Sequence, residues 1–112
     1  VFTIAGDGDF LMNGQELATA VQHGAKTVIV LLNNGTYGTI RMHQEREFPE
    51  HVSGTALTNP DFAALARAFG AHGETVQATS EFEPALERAL EAGLPALIEL
   101  RGEAAAARRR RV

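Results

Sequence analysis

Two short polar stretches break the apolar run of the first third of this chain. The first is Gly6, Asp7 and Gly8; the second is Asn33 and Asn34, with 24 residues between Gly8 and Asn33. Glycines let backbone approach a ligand closely. Asp7 offers a carboxylate and Asn34 an amide oxygen, hard ligands suited to a magnesium ion that also takes phosphate oxygens. Either stretch alone is an ordinary turn, because Asp-Gly and Asn-Gly are common turn dipeptides. At this spacing they suggest a site for a phosphorylated group bridged by Mg2+, provided the elements carrying them lie side by side.

Those elements can be read from apolar patterning. "VFTIA" (Val1 to Ala5) reads as a short buried strand, and "TVIVLL" (Thr27 to Leu32), apolar on both faces, as an interior parallel strand. Between them a helix is expected from Asn13, with Glu16 completing a capping box and Gly24 closing it. Helix N-termini favour phosphate, and this one falls a few residues beyond Gly8. A further helix is expected over Thr36 to Glu47, then an aperiodic loop over Phe48 to Thr58. Asn59 reads as a cap with Pro60 at the first helical position, and Phe62, Leu65, Ala66 and Phe69 as the inward face. "ETVQA" reads as a strand. Ser80 and Glu83 read as a capping box for a helix burying Phe82, Leu86, Ala89 and Leu90, and "PALIEL" (Pro95 to Leu100) as the last strand. Strands alternating with helices imply an α/β fold, a parallel sheet in three α/β/α layers. Ligands then bind beyond the carboxyl ends of the strands, where both polar stretches fall.

Composition narrows the classes. The chain has 112 residues, enough for one domain, and no cysteine, which excludes disulfides and thiolate metal sites and fits a cytoplasmic protein. Net charge is −4, and the acidic body below the Arg108 to Arg111 tail argues against nucleic acid. No stretch approaches a membrane span. Residues 1–102 read as the domain and 103–112 as a disordered Ala/Arg-rich tail. The absence of an initiator Met suggests a piece of a longer protein.

The spaced Gly-Asp-Gly and Asn-Asn pair resembles the thiamine diphosphate motif of thiamine-dependent enzymes, and the likeness runs from Val1 to about Leu100. "GDGDFLMNGQELATA" is similar to the diphosphate-binding C-terminal domain of acetolactate (acetohydroxyacid) synthase-like proteins, and "NNGTYG" also resembles benzoylformate decarboxylase. The resemblance implies the thiamine diphosphate-binding fold, truncated at its N-terminus, with thiamine diphosphate and Mg2+ as cofactors. It implies Asp7, Asn34 and the Thr36 carbonyl as metal ligands. Gly6, Gly8, Asp9 and Phe10, with Tyr37 and Gly38, would complete the cofactor contacts. It further implies a 2-oxo acid substrate, a dimer or tetramer, and an activating glutamate on the pyrimidine-binding domain of a neighbouring subunit. Acetohydroxyacid synthases typically carry a Trp where counting from Gly38 reaches His43, and this chain has none. A benzoylformate-type decarboxylase or another carboligase therefore stays open. So does a non-catalytic phosphate- or nucleotide-binding module. Glu16 fits either the family pattern or a helix cap. His43, Gln44 and Glu45 fit either a substrate contact or a solvated face. His23, His51 and His72 read as surface residues.

Overall fold

The computed structural model describes residues 1–34, 38–50, 54 and 58–101. Four strands form one sheet: β1 (Phe2–Gly6), β2 (Val28–Leu32), β3 (His72–Val76) and β4 (Ala96–Leu100). Their spatial order is β1-β2-β4-β3, and every neighbouring pair is parallel. Parallel strands need crossovers, which the helices supply. These are α1 (Asp7–Asn13), α2 (Glu16–Gln22), α3 (Gly38–Glu47), α4 (Phe62–Ala68) and α5 (Phe82–Glu91).

Alternation along the strands divides the core into two layers. On one face Leu31 and Leu97 pack with Phe10, Leu17, Phe62 and Ala66 from α1, α2 and α4. On the other, Val28, Val76, Ala96 and Ile98 pack with Ala85 and Ala89 of α5. The expected three-layer α/β/α arrangement is thus present. The interior strand β4 is buried along nearly its whole length, as its mostly apolar sequence suggests.

Several local expectations are corrected. β1 is an edge strand and not a buried one: Phe2 is 59% exposed and Ile4 75%. Both share the face on which α5 packs mainly over β3 and β4. The first helix starts at Asp7 and not at Asn13. Gly6, in extended conformation, is its N-cap, and the Asp9 carboxylate accepts from the Gly6 N–H at 3.2 Å. Gly14 and Gln15 then break the helix, and Glu16 accepts from the Thr19 hydroxyl instead of capping. α4 is capped by Asp61, which accepts from the Ala64 N–H, and not by Asn59. Ser80 lies in a short 3-10 turn (Thr79–Glu81), and no side-chain cap holds α5. Leu90 is exposed, while Ala85 takes the inward place. β3 begins two residues before "ETVQA", because its register is set by pairing with β4.

Gly24 (φ +66°) and Gly70 (φ +90°) end their helices in the left-handed region that favours glycine. The start expected at Thr36 lies outside the described residues. So do most of the expected 48–58 loop, including His51, and the 103–112 tail. Among the described residues, no helix is long and apolar enough to cross a membrane.

Candidate functional site

The strand order makes β1 and β2 neighbours, so their carboxyl ends, and the two polar stretches that follow them, share one edge of the sheet. Gly6 closes β1 and caps α1, and Asp7 is the first helical residue, 2% exposed. Asn33 follows β2, with its N–H bonded to the Leu100 carbonyl of β4 at 3.1 Å; Asn34 comes next and is half-buried.

A chain of side-chain hydrogen bonds crosses this edge. Asn59 Nδ2 donates to Asp7 Oδ2 at 2.6 Å and to Asn33 Oδ1 at 2.8 Å. Asn33 Nδ2 in turn donates to Glu99 Oε2 at 2.6 Å. Glu99 lies within β4, fully buried on the Leu97 side of the sheet. It also accepts from Arg101 Nε at 2.6 Å and Nη2 at 3.2 Å, and from the Thr75 hydroxyl at 3.4 Å. Buried charges need a partner or hydrogen bonds: Glu99 is paired with Arg101, and Asp7 accepts hydrogen bonds from the Gly8 N–H and from Asn59. The hydrogen bond to Glu99 holds the Arg101 guanidinium protonated beyond its already high pKa.

The donor set suits a hard cation. The Asp7 carboxylate is fixed by the Gly8 N–H on Oδ1 (3.0 Å) and by Asn59 on Oδ2. A carboxylate only accepts, so these two donors orient it. Asn59 Oδ1 is a buried acceptor with no hydrogen-bond partner among the described residues, the kind of atom a hydrated ion satisfies. No group of three or more His, Cys, Asp or Glu side chains gathers among the described residues.

The other anticipated residues are placed as follows. Gly8 is buried behind Asp7; the Asp9 side chain is turned to its own helix cap. Phe10 belongs to the core, its ring edge-on to Phe62 at 5.7 Å, so any cofactor contact it makes is through backbone. Gly38 opens α3. Thr36, Tyr37 and the His43 side chain lie outside the described set. Gln44 and Glu45 sit on α3 and Glu16 on α2, where its carboxylate accepts from the Thr19 hydroxyl. His23 is exposed. His72 is half-buried and meets Glu74 at 2.8 Å, so it has a structural partner. Its neighbour Arg88 does most to hold the Glu74 carboxyl below its ordinary value, with His72 adding to it against burial.

Asn59 and Glu99 are the residues that sequence reasoning missed. Asn59 was read as a helix cap; the glutamate in the apolar "PALIEL" run was the available signal for Glu99. An apolar hollow of about 240 Å3, lined by Leu32, Val76, Phe82 and Leu100 and by Arg101, the partner of Glu99, lies on the α5 side of the sheet.

Residues 1–100 match the family described as thiamine pyrophosphate enzyme, C-terminal TPP binding domain. The chain is 43% identical over 101 residues to the acetolactate synthase isozyme 2 large subunit of Escherichia coli K12, covering 89% of this chain and 18% of that protein. It is 38% identical over 108 residues to the acetolactate synthase large subunit of Parasynechococcus marenigrum, covering 92% and 18%. Among solved structures, it is similar to the Rhodococcus jostii thiamine diphosphate-dependent 4-hydroxybenzoylformate decarboxylase (TM-score 0.84, 35% identity, 90% of this chain and 19% of that one). It is also similar to benzoylformate decarboxylase from Polynucleobacter necessarius (TM-score 0.81, 30% identity, 88% and 19%). The chain thus spans less than a fifth of the length of these relatives. With the match covering residues 1–100, the chain belongs to the C-terminal thiamine pyrophosphate-binding domain family of thiamine pyrophosphate enzymes.

Proposed function

We propose that this domain binds the diphosphate of thiamine diphosphate through Mg2+, as part of an acetolactate synthase-like enzyme that acts on 2-oxo acids. The observation that carries the reading is Asn59 joining the buried Asp7 carboxylate at the end of β1 to Asn33 at the end of β2, within hydrogen-bond distance of both. Asp7, Asn34 and the Thr36 carbonyl would hold the cation. Backbone at Gly6, Gly8, Asp9 and Phe10, with Tyr37 and Gly38, would meet the diphosphate. The thiazolium ring of the bound cofactor supplies an electron sink for breaking or making the bond beside a 2-oxo group. This chain's own residues bind and orient: Asp7 neutralises the cation, and the amides that hold Asp7 keep it aimed.

The catalytic glutamate would come from the pyrimidine-binding domain of a neighbouring subunit, in a cytoplasmic dimer or tetramer. Exposed Phe2 and Ile4 on β1 favour such a covered position, because contiguous exposed apolar surface marks interaction sites. A benzoylformate-type decarboxylase is the second reading, favoured by the similarity to two such enzymes and by the absence of Trp.

The test is calorimetric titration of thiamine diphosphate into the complete protein with and without Mg2+. Binding is expected to need the metal and to weaken well over tenfold in Asp7→Ala, because outer-shell changes alone cost about 10–100-fold in metal sites. Asn34→Asp, which keeps an oxygen ligand, is expected to be milder. Metal-independent binding, or an Asp7→Ala protein that binds like the parent, refutes the reading.

A further inference from the structure

Asp7 and Glu99 are buried carboxylates, and the amides of Asn59 and Asn33 stand in line between them. A carboxylate only accepts hydrogen bonds, so it compels the amide facing it to present its NH2. Glu99 therefore fixes Asn33 with Nδ2 towards itself, at 2.6 Å, and leaves Asn33 Oδ1 facing Asn59. Asn59 must then present Nδ2 to Asn33, which is the same orientation that Asp7 demands. Turning either amide over would set oxygen against carboxylate oxygen at hydrogen-bond distance. Arg101 donates to Glu99 through two nitrogens at that end of the line.

We propose that Asn59 is a positioning residue that clamps the Asp7 carboxylate, and that Glu99, acting through Asn33, is the residue that holds Asn59 in its donating orientation. The inference rests on Asp7 being a metal ligand, as proposed above, and adds how its direction is set. It gives the two asparagines of the Asn33-Asn34 pair different tasks: Asn33 transmits orientation, and Asn34 belongs to the proposed ligand set. Asn59 sits on the segment leading into α4, and Glu99 on β4, so the device ties the β1 end to two distant parts of the chain. Charge-assisted hydrogen bonds of this length are the stronger, more directional kind, suited to holding a ligand in place.

The experiment measures Mn2+ affinity by electron paramagnetic resonance in the complete protein at fixed thiamine diphosphate, for the parent, Asp7→Ala, Asn59→Ala, Glu99→Gln and Thr75→Val. Melting temperature is recorded alongside. Asn59→Ala is expected to lower Mn2+ affinity about 10–100-fold, the usual effect of removing an outer-shell partner. Raised Mg2+ is expected to restore turnover, so that the metal requirement shifts while kcat at saturating metal holds. Glu99→Gln, which can no longer compel one orientation of Asn33, is expected to move affinity in the same direction by a smaller factor. Thr75→Val removes only the long 3.4 Å partner of Glu99 and is expected to leave affinity unchanged. Asn59→Ala with the parent's Mn2+ affinity overturns the clamp, and folded Glu99→Gln with the parent's affinity overturns the relay. If Asp7→Ala itself binds Mn2+ like the parent, the ligand assignment fails, and this inference with it. If Asp7→Ala is weak and Asn59→Ala is not, this inference alone fails.

Discussion

Gly73→Ala tests how the fold holds the segment that carries Asn59. Gly73 lies in β3 on the face covered by α4, paired with Leu97 of β4. A Cβ built there would overlap the Ala63 carbonyl oxygen and come within 3.1 Å of its carbon and 3.2 Å of the Ala63 Cα. Ordinary contact begins near 3.4 Å, so α4 and β3 must part by roughly an ångström. The obstacle is backbone in the first turn of a helix, which cannot rotate aside. Arg67 Nη1 also ties α4 to the Gly73 carbonyl at 2.9 Å and resists the movement. Overpacking of this kind costs about 1–3 kcal/mol, against which the stiffer unfolded chain returns about 0.4–1 kcal/mol. The net expectation is a loss of about 1–2 kcal/mol, or a fall in Tm of about 4–16 °C for a domain of this size. Urea unfolding and a thermal melt of the parent and Gly73→Ala measure it. Because the displaced turn follows directly on Asn59 to Asp61, Mg2+-dependent cofactor binding is expected to weaken as well. A Gly73→Ala protein as stable as the parent would show that α4 does not bear on β3 as tightly as the backbone geometry requires.

Asp7→Asn, measured by urea unfolding without metal, is expected to cost about 1–3 kcal/mol. The Gly8 N–H and Asn59 Nδ2 both donate to Asp7, so the new amide must turn a donor towards one of them. Glu74→Gln is expected to lower Tm at neutral pH and to lose its effect in acid. Arg88, donating from Nε at 2.9 Å, holds the folded Glu74 carboxyl below its unfolded value. The stabilisation is therefore complete above about pH 4.3 and vanishes as pH falls through the lower folded value. Melts of both proteins from pH 7 to pH 3 check this; a gap that widens in acid would contradict it.

What was legible in the sequence was whatever depends on near neighbours. The apolar runs of β2 and β4 and the glycine at 24 marked strands and a helix end, because those signals act over a few residues. The spacing of Asp7 and Asn34 pointed to one sheet edge, since parallel neighbours place their carboxyl ends together. What was not legible depends on partners far along the chain. Asn59 has the residue type and position of a helix cap, yet its bonds run to Asp7, 52 residues earlier, and to Asn33. Glu99 in an apolar strand makes sense only with Asn33, 66 residues away, beside it. The exposure of β1 was equally hidden, because "VFTIA" is apolar whether or not anything packs on it. The start of α1 was misplaced because Asn13 and Glu16 imitate a capping box, while the working cap joins Gly6 and Asp9 across the polar stretch itself.

The most direct measurement is the anomalous scattering of Mn2+ in crystals of the complete protein grown with thiamine diphosphate. The expected result is a single strong peak at the carboxyl ends of β1 and β2, with an Asp7 carboxylate oxygen, the Asn34 amide oxygen and the Thr36 carbonyl at about 2.1 Å, and two diphosphate oxygens and a water completing an octahedron. Thiamine diphosphate bound with no metal peak beside Asp7, or a peak held by other residues, would contradict the assignment of this site.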